Sequence, residues 1–153
     1  MKQVIVNADD FGINEVVTSE IERMIEAGRV TSTTVMANGE CLNEVKRFAA
    51  LHPEVSFGVH LCLSEFRSLT KSEVLKHYGL IDDDGGFVHK QIFQIKRYDD
   101  TLLAAIKEEL NAQIEVVKSL GFSISHADSH HHVHTIYPLR MMVAVSMANG
   151  KAK

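Results

Sequence analysis

The sequence predicts an α/β fold in which parallel strands alternate with helices. Short runs of apolar and β-branched residues, of which QVIVN is the first, are each followed by a segment with apolar residues at helical spacing. Strands that alternate with helices in this way form parallel sheets with right-handed crossovers. The 153 residues are enough for one sizeable core, so we expect a single β/α domain over residues 1–153.

The predicted elements follow this alternation along the chain. The strand at QVIVN precedes a helix that Asn14 caps and Gly28 ends, and a second strand at residues 31–36 precedes a helix at 41–51. A third strand is predicted at residues 55–63 and a long helix at 101–120. A fourth strand at 123–129 and a helix at 136–148 complete the prediction.

An insertion at about residues 64–99 interrupts the alternation. It contains GLIDDDGGFV, in which residues 82–86 are typical of a turn between two short strands. The alternative is a calcium-binding loop, which would require a glutamate near position 92, where an isoleucine stands. We therefore predict a turn.

Composition and charge exclude several classes of function. The formal net charge is −4 without a basic cluster, so we expect no nucleic-acid partner. The chain has no apolar run long enough to cross a membrane, and its first residues lack the apolar region of a secretory signal. We therefore expect a cytoplasmic protein in which Cys41 and Cys62 are free thiols rather than a disulfide.

Polar and ionisable side chains gather where the predicted strands end. Those at the ends of the first three strands are Asn7, Asp9, Asp10, Asn38 and His60. The fourth strand runs into HADSHHHVH, residues 126–134. Because ligands of parallel α/β sheets bind at the carboxyl ends of the strands, we expect these side chains to meet on one rim.

Side-chain alternation indicates which of these residues face the same way. In the third strand His60 shares a face with the small residues Gly58 and Cys62, which leaves room for a ligand. In the fourth, extended backbone would place five side chains on one side: His126, Asp128, His130, His132 and His134. We expect the segment to leave strand geometry soon after Asp128.

These placements predict a metal site made by Asp10, His60 and His130. One carboxylate and two imidazoles suit zinc, and also manganese, cobalt or nickel. Magnesium prefers more oxygen ligands and would rely on water. The residues alone leave the identity of the metal open.

Four motifs in order, NADDFG, TSTT with a following NG, GVHL and HADSHHHVH, resemble the YdjC-like family of carbohydrate deacetylases. The resemblance implies a distorted (β/α) barrel and metal-dependent removal of N-acetyl groups from short chitin-type oligosaccharides. It also implies that Asp10, His60 and His130 bind a divalent ion, Mg or Zn, and that Asp9 is the catalytic base.

The other residues of the two end motifs are expected to assist this chemistry. The leaving amine requires a proton, for which we expect His132, with His134 as the alternative. Asp128 is expected to orient a metal-binding histidine. Further contacts around the metal or to the substrate are expected from Asn7, Asn38, His126 and His134.

The length of the chain departs from that family. Its members are considerably longer, and a closed barrel usually needs about 250 residues. Four predicted strands leave the barrel incomplete and make the last strand an edge, so we expect a homo-oligomer that covers this edge. Two alternatives to deacetylation stay open: a catalytically inactive sugar- or metal-binding remnant, and a metallo-phosphoesterase.

Overall fold

The structure, a computed structural model, describes residues 4–140, which form a four-stranded parallel sheet and its helices. The strands are β1 (Asn7–Phe11), β2 (Ser32–Met36), β3 (Ser56–Leu61) and β4 (Ala127–Ser129). They lie side by side in chain order, and each pair of neighbours is parallel. The helices are α1 (Glu15–Glu26), α2 (Leu42–Leu51), α3 (Glu73–His77) and α4 (Asp100–Ser119). This order confirms the predicted fold class.

The first strand begins later than the sequence predicted. The apolar residues before Asn7 are exposed, Val4 by 78% and Ile5 by 79%. Regular pairing with β2 begins where Asn7 lies opposite Ser32, and just before it the carbonyl of Val6 accepts hydrogen bonds from the N–H groups of Thr31 and Ser32. The strand therefore contains the carboxylates of ADDF, which the prediction placed after it.

The fourth strand is shorter than predicted. Ser125 N already donates to the Phe57 carbonyl at 2.9 Å, but regular pairing with β3 is confined to Ala127–Ser129. Of the last predicted helix, 136–148, residues 137–140 are helical, Ile136 is extended, and residues 141–148 lie outside the described part of the chain.

The core lies between the sheet and the helices. Phe57, Val59 and Leu61 of β3 are buried in it, as the alternation of side chains predicted. In α4 the side chain of Leu102 is fully buried, whereas that of Leu103 is only partly buried. No helix of the described part is apolar and long enough to cross a membrane. Both cysteines are free thiols, as predicted, and both are buried.

The insertion contains α3, a 3₁₀ turn (Gln91–Gln94) and the predicted Asp-Gly turn. Asp82 Oδ1 accepts hydrogen bonds from the backbone N–H groups of Asp84 and Gly86 at 3.0 and 2.8 Å. Gly85 has a φ of +83°, a conformation that favours glycine. The turn is confirmed, but isolated antiparallel bridges, Arg67 with Gly86 and Ile81 with Phe87, take the place of the two short strands.

A buried carboxylate ties the insertion to α4. Glu109, fully buried, accepts hydrogen bonds from the hydroxyl groups of Ser68 and Thr70 at 2.7 and 2.8 Å. Gln113, one turn later, donates to the same carboxylate and pairs with both backbone groups of Cys62. The end of β3 and the start of the insertion are therefore fixed to one helix.

Candidate metal centre

Three side chains from three strand ends converge at the carboxyl edge of the sheet. Asp10 Oδ1 lies 3.2 Å from His60 Nε2 and 2.9 Å from His130 Nδ1. These are the three residues that the sequence placed together. One carboxylate oxygen and two imidazole nitrogens at this spacing can face a single small cation.

The backbone at each strand end turns these side chains toward one another. Asp10 sits in an irregularity of β1 and has a φ of +68°, which asparagine, aspartate and histidine tolerate best after glycine. His60 lies in the regular part of the sheet, opposite Met36 on β2 and Asp128 on β4. His130 follows β4 directly, at the start of the irregular 3₁₀ segment His130–Thr135.

His60 is held from behind by a carboxylate and a hydroxyl group. Its Nδ1 lies 2.5 Å from Asp128 Oδ1, and Thr34 Oγ1 donates to the other oxygen of Asp128 at 3.1 Å. Only 3% of His60 is exposed, so its ring has little freedom to rotate. This arrangement leaves Nε2 directed at Asp10.

The ionisable groups of the centre shift one another's pKa. Hydrogen bonds from His130 and His60 hold the pKa of Asp10 well below its usual range. Burial lowers the pKa of His60, but hydrogen bonds to Asp10 and Asp128 outweigh burial and raise this pKa to about 9. The hydrogen bond to Asp10 also raises the pKa of His130. The carboxylates therefore favour positive charge at this point, whether protons or a cation carry it.

Asp9 lies next to the centre and is oriented by Asn7. The Asn7 side-chain amide donates to Asp9 Oδ1 at 2.8 Å, and its oxygen accepts from Ser32 Oγ at 2.6 Å. His126 Nε2 lies 3.3 Å from the same Asn7 oxygen. A Cβ at Gly58 would come within 2.8 Å of the His126 ring, so the glycine makes room for this histidine.

The histidine cluster leaves extended geometry after His130. His131 and His132 have φ values of +53° and +55°, so the predicted common side ends there. His132 still lines the cleft, but His134 turns back to Ser129, whose Oγ lies 2.6 Å from its Nδ1. The segment thus leaves strand geometry soon after Asp128, as expected, and His134 does not share the side of the other histidines.

Asn38 also lies away from the position that the sequence suggested. Its amide faces the backbone carbonyls of Glu65 and Arg67 at 3.4 and 3.3 Å. It holds the loop that follows β3 and is absent from the lining of the cleft within the described residues.

A profile of the YdjC-like protein family matches residues 3–152, almost the whole chain. The chain belongs to the YdjC-like family. Relatives include carbohydrate deacetylases of Oceanobacillus iheyensis, 34% identical over 137 residues, and Thermoanaerobacter pseudethanolicus, 36% identical over 136. The matches cover 90% and 86% of this chain, and 57% and 51% of the relatives. The chain thus spans about half the length of the curated relatives it matches.

Two solved structures are similar to this YdjC-like chain. A protein of Enterococcus faecalis V583, described as a cellobiose-phosphate cleavage protein, superposes with a TM-score of 0.79 at 31% identity. The match covers 95% of this chain and 55% of that one. The lactam utilization protein of Thermus thermophilus, with a TM-score of 0.56 at 16% identity, shares the fold alone; the match covers 98% of this chain and 55% of that one.

The candidate centre opens into a cleft of about 530 Å³. Its lining consists of strand-end residues and two residues of the insertion: Asp9, Asp10, His60, Lys90, Phe93, Ser129, His130, His131 and His132. Neither Lys90 nor Phe93 could be predicted from the sequence, because the insertion has no periodicity that indicates which side chains face a cleft.

Two further polar residues at the centre were also missed. Thr34 bonds Asp128, and Glu65 Oε2 lies 3.2 Å from His130 Nε2. Thr34 is part of the TSTT motif, and Glu65 follows GVHL closely, so proximity to a motif was the one available signal.

Proposed function

We propose that this chain provides the metal centre of a carbohydrate deacetylase, which hydrolyses the acetamide group of chitin-type oligosaccharides to an amine and acetate. The observation that carries the proposal is the convergence of Asp10, His60 and His130 beside Asp9 in an open cleft. The names of the curated relatives support the deacetylase reaction.

The three converging residues would hold one divalent ion, zinc or magnesium. Two imidazoles with one carboxylate are a donor set that suits zinc, while magnesium would require additional oxygen ligands. A bound divalent ion lowers the pKa of water and polarises a carbonyl oxygen, which are the two requirements of amide hydrolysis. Asp128 keeps His60 in the tautomer that leaves Nε2 free to bind.

Asp9 is the proposed general base. Its carboxylate lines the cleft and is fixed by the Asn7 amide at 2.8 Å, so one oxygen is oriented before substrate arrives. The attacking water loses its proton to this carboxylate as the bond to the acetyl carbon forms. Asn7 is a positioning residue in this scheme because it bonds Asp9, and His126 is a second one because it contacts the side-chain oxygen of Asn7.

His132 is the proposed general acid. It lines the cleft on the side of the histidine cluster, whereas His134 is held by Ser129. An amide nitrogen leaves poorly as an anion, so a protonated imidazole must supply its proton as the C–N bond breaks.

The insertion supplies the proposed contacts to the sugar. Phe93 is 44% exposed although it lies in the cleft wall, and an exposed aromatic face suits the apolar face of a sugar ring. Lys90 places a positive charge in the same wall. That charge favours the second candidate function, hydrolysis of a phosphate ester, which the test must therefore include.

Acetate release from diacetylchitobiose by the metal-loaded chain tests the proposal. We expect release with the wild-type chain, and none with Asp9→Asn, which should keep its metal. Asp83→Asn is the matched control, because Asp83 is a carboxylate whose side chain is 94% exposed in the Asp-Gly turn and does not line the cleft. Release of phosphate from p-nitrophenyl phosphate without release of acetate would favour the second candidate. Metal and sugar binding without either reaction would contradict a catalytic role.

A further inference from the structure

Both histidines of the proposed centre have a carboxylate on the ring nitrogen that faces away from Asp10. His60 Nδ1 faces Asp128 at 2.5 Å. His130 presents the other nitrogen: its Nε2 faces Glu65 Oε2 at 3.2 Å, while Nδ1 faces Asp10. The two imidazoles therefore offer opposite nitrogens to the same point.

We propose that Glu65, in the insertion, is a positioning residue for His130. By accepting the hydrogen of Nε2, it fixes the tautomer in which Nδ1 is free to bind the metal. This role rests on the metal centre of the proposed function. It deepens that proposal, because it makes the insertion a part of the centre and not only a wall of the cleft.

Glu65 is held in place by contacts on both sides. Its backbone carbonyl faces the Asn38 amide at 3.4 Å and the Cys62 thiol at 3.3 Å. Its other carboxylate oxygen, Oε1, lies 2.9 Å from His89 Nδ1. The Glu65 side chain is 31% exposed, so the bond to His130 is shielded from most of the solvent. These contacts leave Oε2 aimed at the His130 ring.

The contact between Glu65 and His130 should have a measurable effect on metal affinity. A neutral imidazole has one N–H and one free lone pair, so an acceptor at one nitrogen decides which nitrogen binds the metal. The acceptor also fixes the orientation of the ring and makes the metal-binding nitrogen more basic. Loss of such a partner typically weakens metal binding by about ten- to hundredfold.

A second cation held by Glu65, His130 and His131 is the competing explanation, since these three also lie close together. The contacts of His130 make this second cation site unfavourable. Its Nδ1 faces Asp10 at 2.9 Å, so a second ion on Nε2 would require the ring to lose both of its protons. His131 Nε2 is 3.9 Å from Glu65, and its Nδ1 is bound to Ser64 Oγ at 2.9 Å.

Titration of the metal-free full chain with zinc, at one fixed pH, tests the role of Glu65. We expect Glu65→Ala to raise the dissociation constant by about ten- to hundredfold. Glu65→Gln keeps an acceptor oxygen and should lie between this variant and wild type. Glu54→Ala is the matched control: it removes a carboxylate 3.1 Å from another histidine, His52, outside the centre, and should change nothing. Circular dichroism of each variant shows that the chain has folded.

Nitrogen-15 NMR of the zinc-loaded wild-type chain supplies a second readout. We expect His130 to carry its hydrogen on Nε2 and His60 to carry it on Nδ1. Equal zinc affinities of wild type and both Glu65 variants, or a hydrogen on Nδ1 of His130, would overturn the role of Glu65 alone. Two zinc ions per chain would favour the second cation over positioning. A wild-type chain that binds no ion would overturn the metal centre and the role of Glu65 together.

Discussion

The backbone conformations of single residues determine where the side chains of the candidate centre point. Asp10, His131 and His132 all adopt left-handed backbone conformations, with φ values of +68°, +53° and +55°. Such conformations cost free energy in non-glycine residues and concentrate at functional sites. Here they bend β1 and end β4, which brings Asp10 to His130 and turns His134 away. No pattern in the sequence marks them, so the side of His134 could not be predicted.

The convergence of Asp10, His60 and His130, by contrast, could be predicted from the sequence. Each lies at or near the carboxyl end of a strand that the sequence predicted, and parallel strands bring their carboxyl ends together. Glu65 could not be identified in this way, because it lies in an insertion whose path over the cleft depends on packing against α4.

Substitution of Phe93 tests whether its ring contacts the sugar. The turn that carries it is anchored by the buried Ile92, whose carbonyl accepts from Tyr98 Oη at 2.6 Å. Because the turn is fixed, Phe93→Ala should raise KM for diacetylchitobiose by about three- to tenfold, the value of one aromatic contact. Zinc affinity should stay unchanged. Val88→Ala, at a position 39% exposed in the same insertion, is the control; an unchanged KM in Phe93→Ala would contradict the contact.

At the scale of elements, α4 holds the insertion against the end of β3. The amphipathic pattern of this helix was evident in the sequence, but the buried Glu109 and Gln113 within the inner face were not. A buried carboxylate is stable only where donors surround it, and here the donors come from the insertion. Helical periodicity predicts which face is apolar, but it does not predict polar contacts within that face.

Loss of the Glu109 carboxylate should destabilise the chain. Glu109→Ala leaves the donors of Ser68 and Thr70 without their acceptor in the interior, so we expect the free energy of unfolding to fall by roughly 3 kcal/mol. Urea unfolding, followed by circular dichroism, measures this change. Glu108→Ala removes an exposed carboxylate from the same helix and should change the stability by less than about 0.5 kcal/mol. Equal effects of the two variants would contradict the account.

At the scale of the whole molecule, the outer strands of the sheet remain open within residues 4–140. β1 pairs only with β2, and β4 only with β3. Next to β1, Val4 and Ile5 are 78% and 79% exposed. Exposed strand edges with apolar neighbours favour pairing with another chain. The number and order of these strands were predictable from alternating patterns, whereas their limits depend on which neighbours offer partners.

An oligomer in solution is the expected consequence. Light scattering of the full chain should give a mass above that of one chain, and Ile5→Lys should shift the equilibrium toward monomer, because it places a charge beside the open edge. Val16→Lys is the control, since Val16 is 72% exposed on α1. A wild-type monomer at all concentrations would contradict this prediction.

If Asp10, His60 and His130 form a metal centre, untagged protein should carry a metal ion that depends on these residues. Mass spectrometry should find about one divalent ion per chain in wild type and none in Asp10→Ala, which removes the carboxylate that faces both histidines. Absence of an ion from the wild-type protein, or equal content in both proteins, would contradict the metal centre.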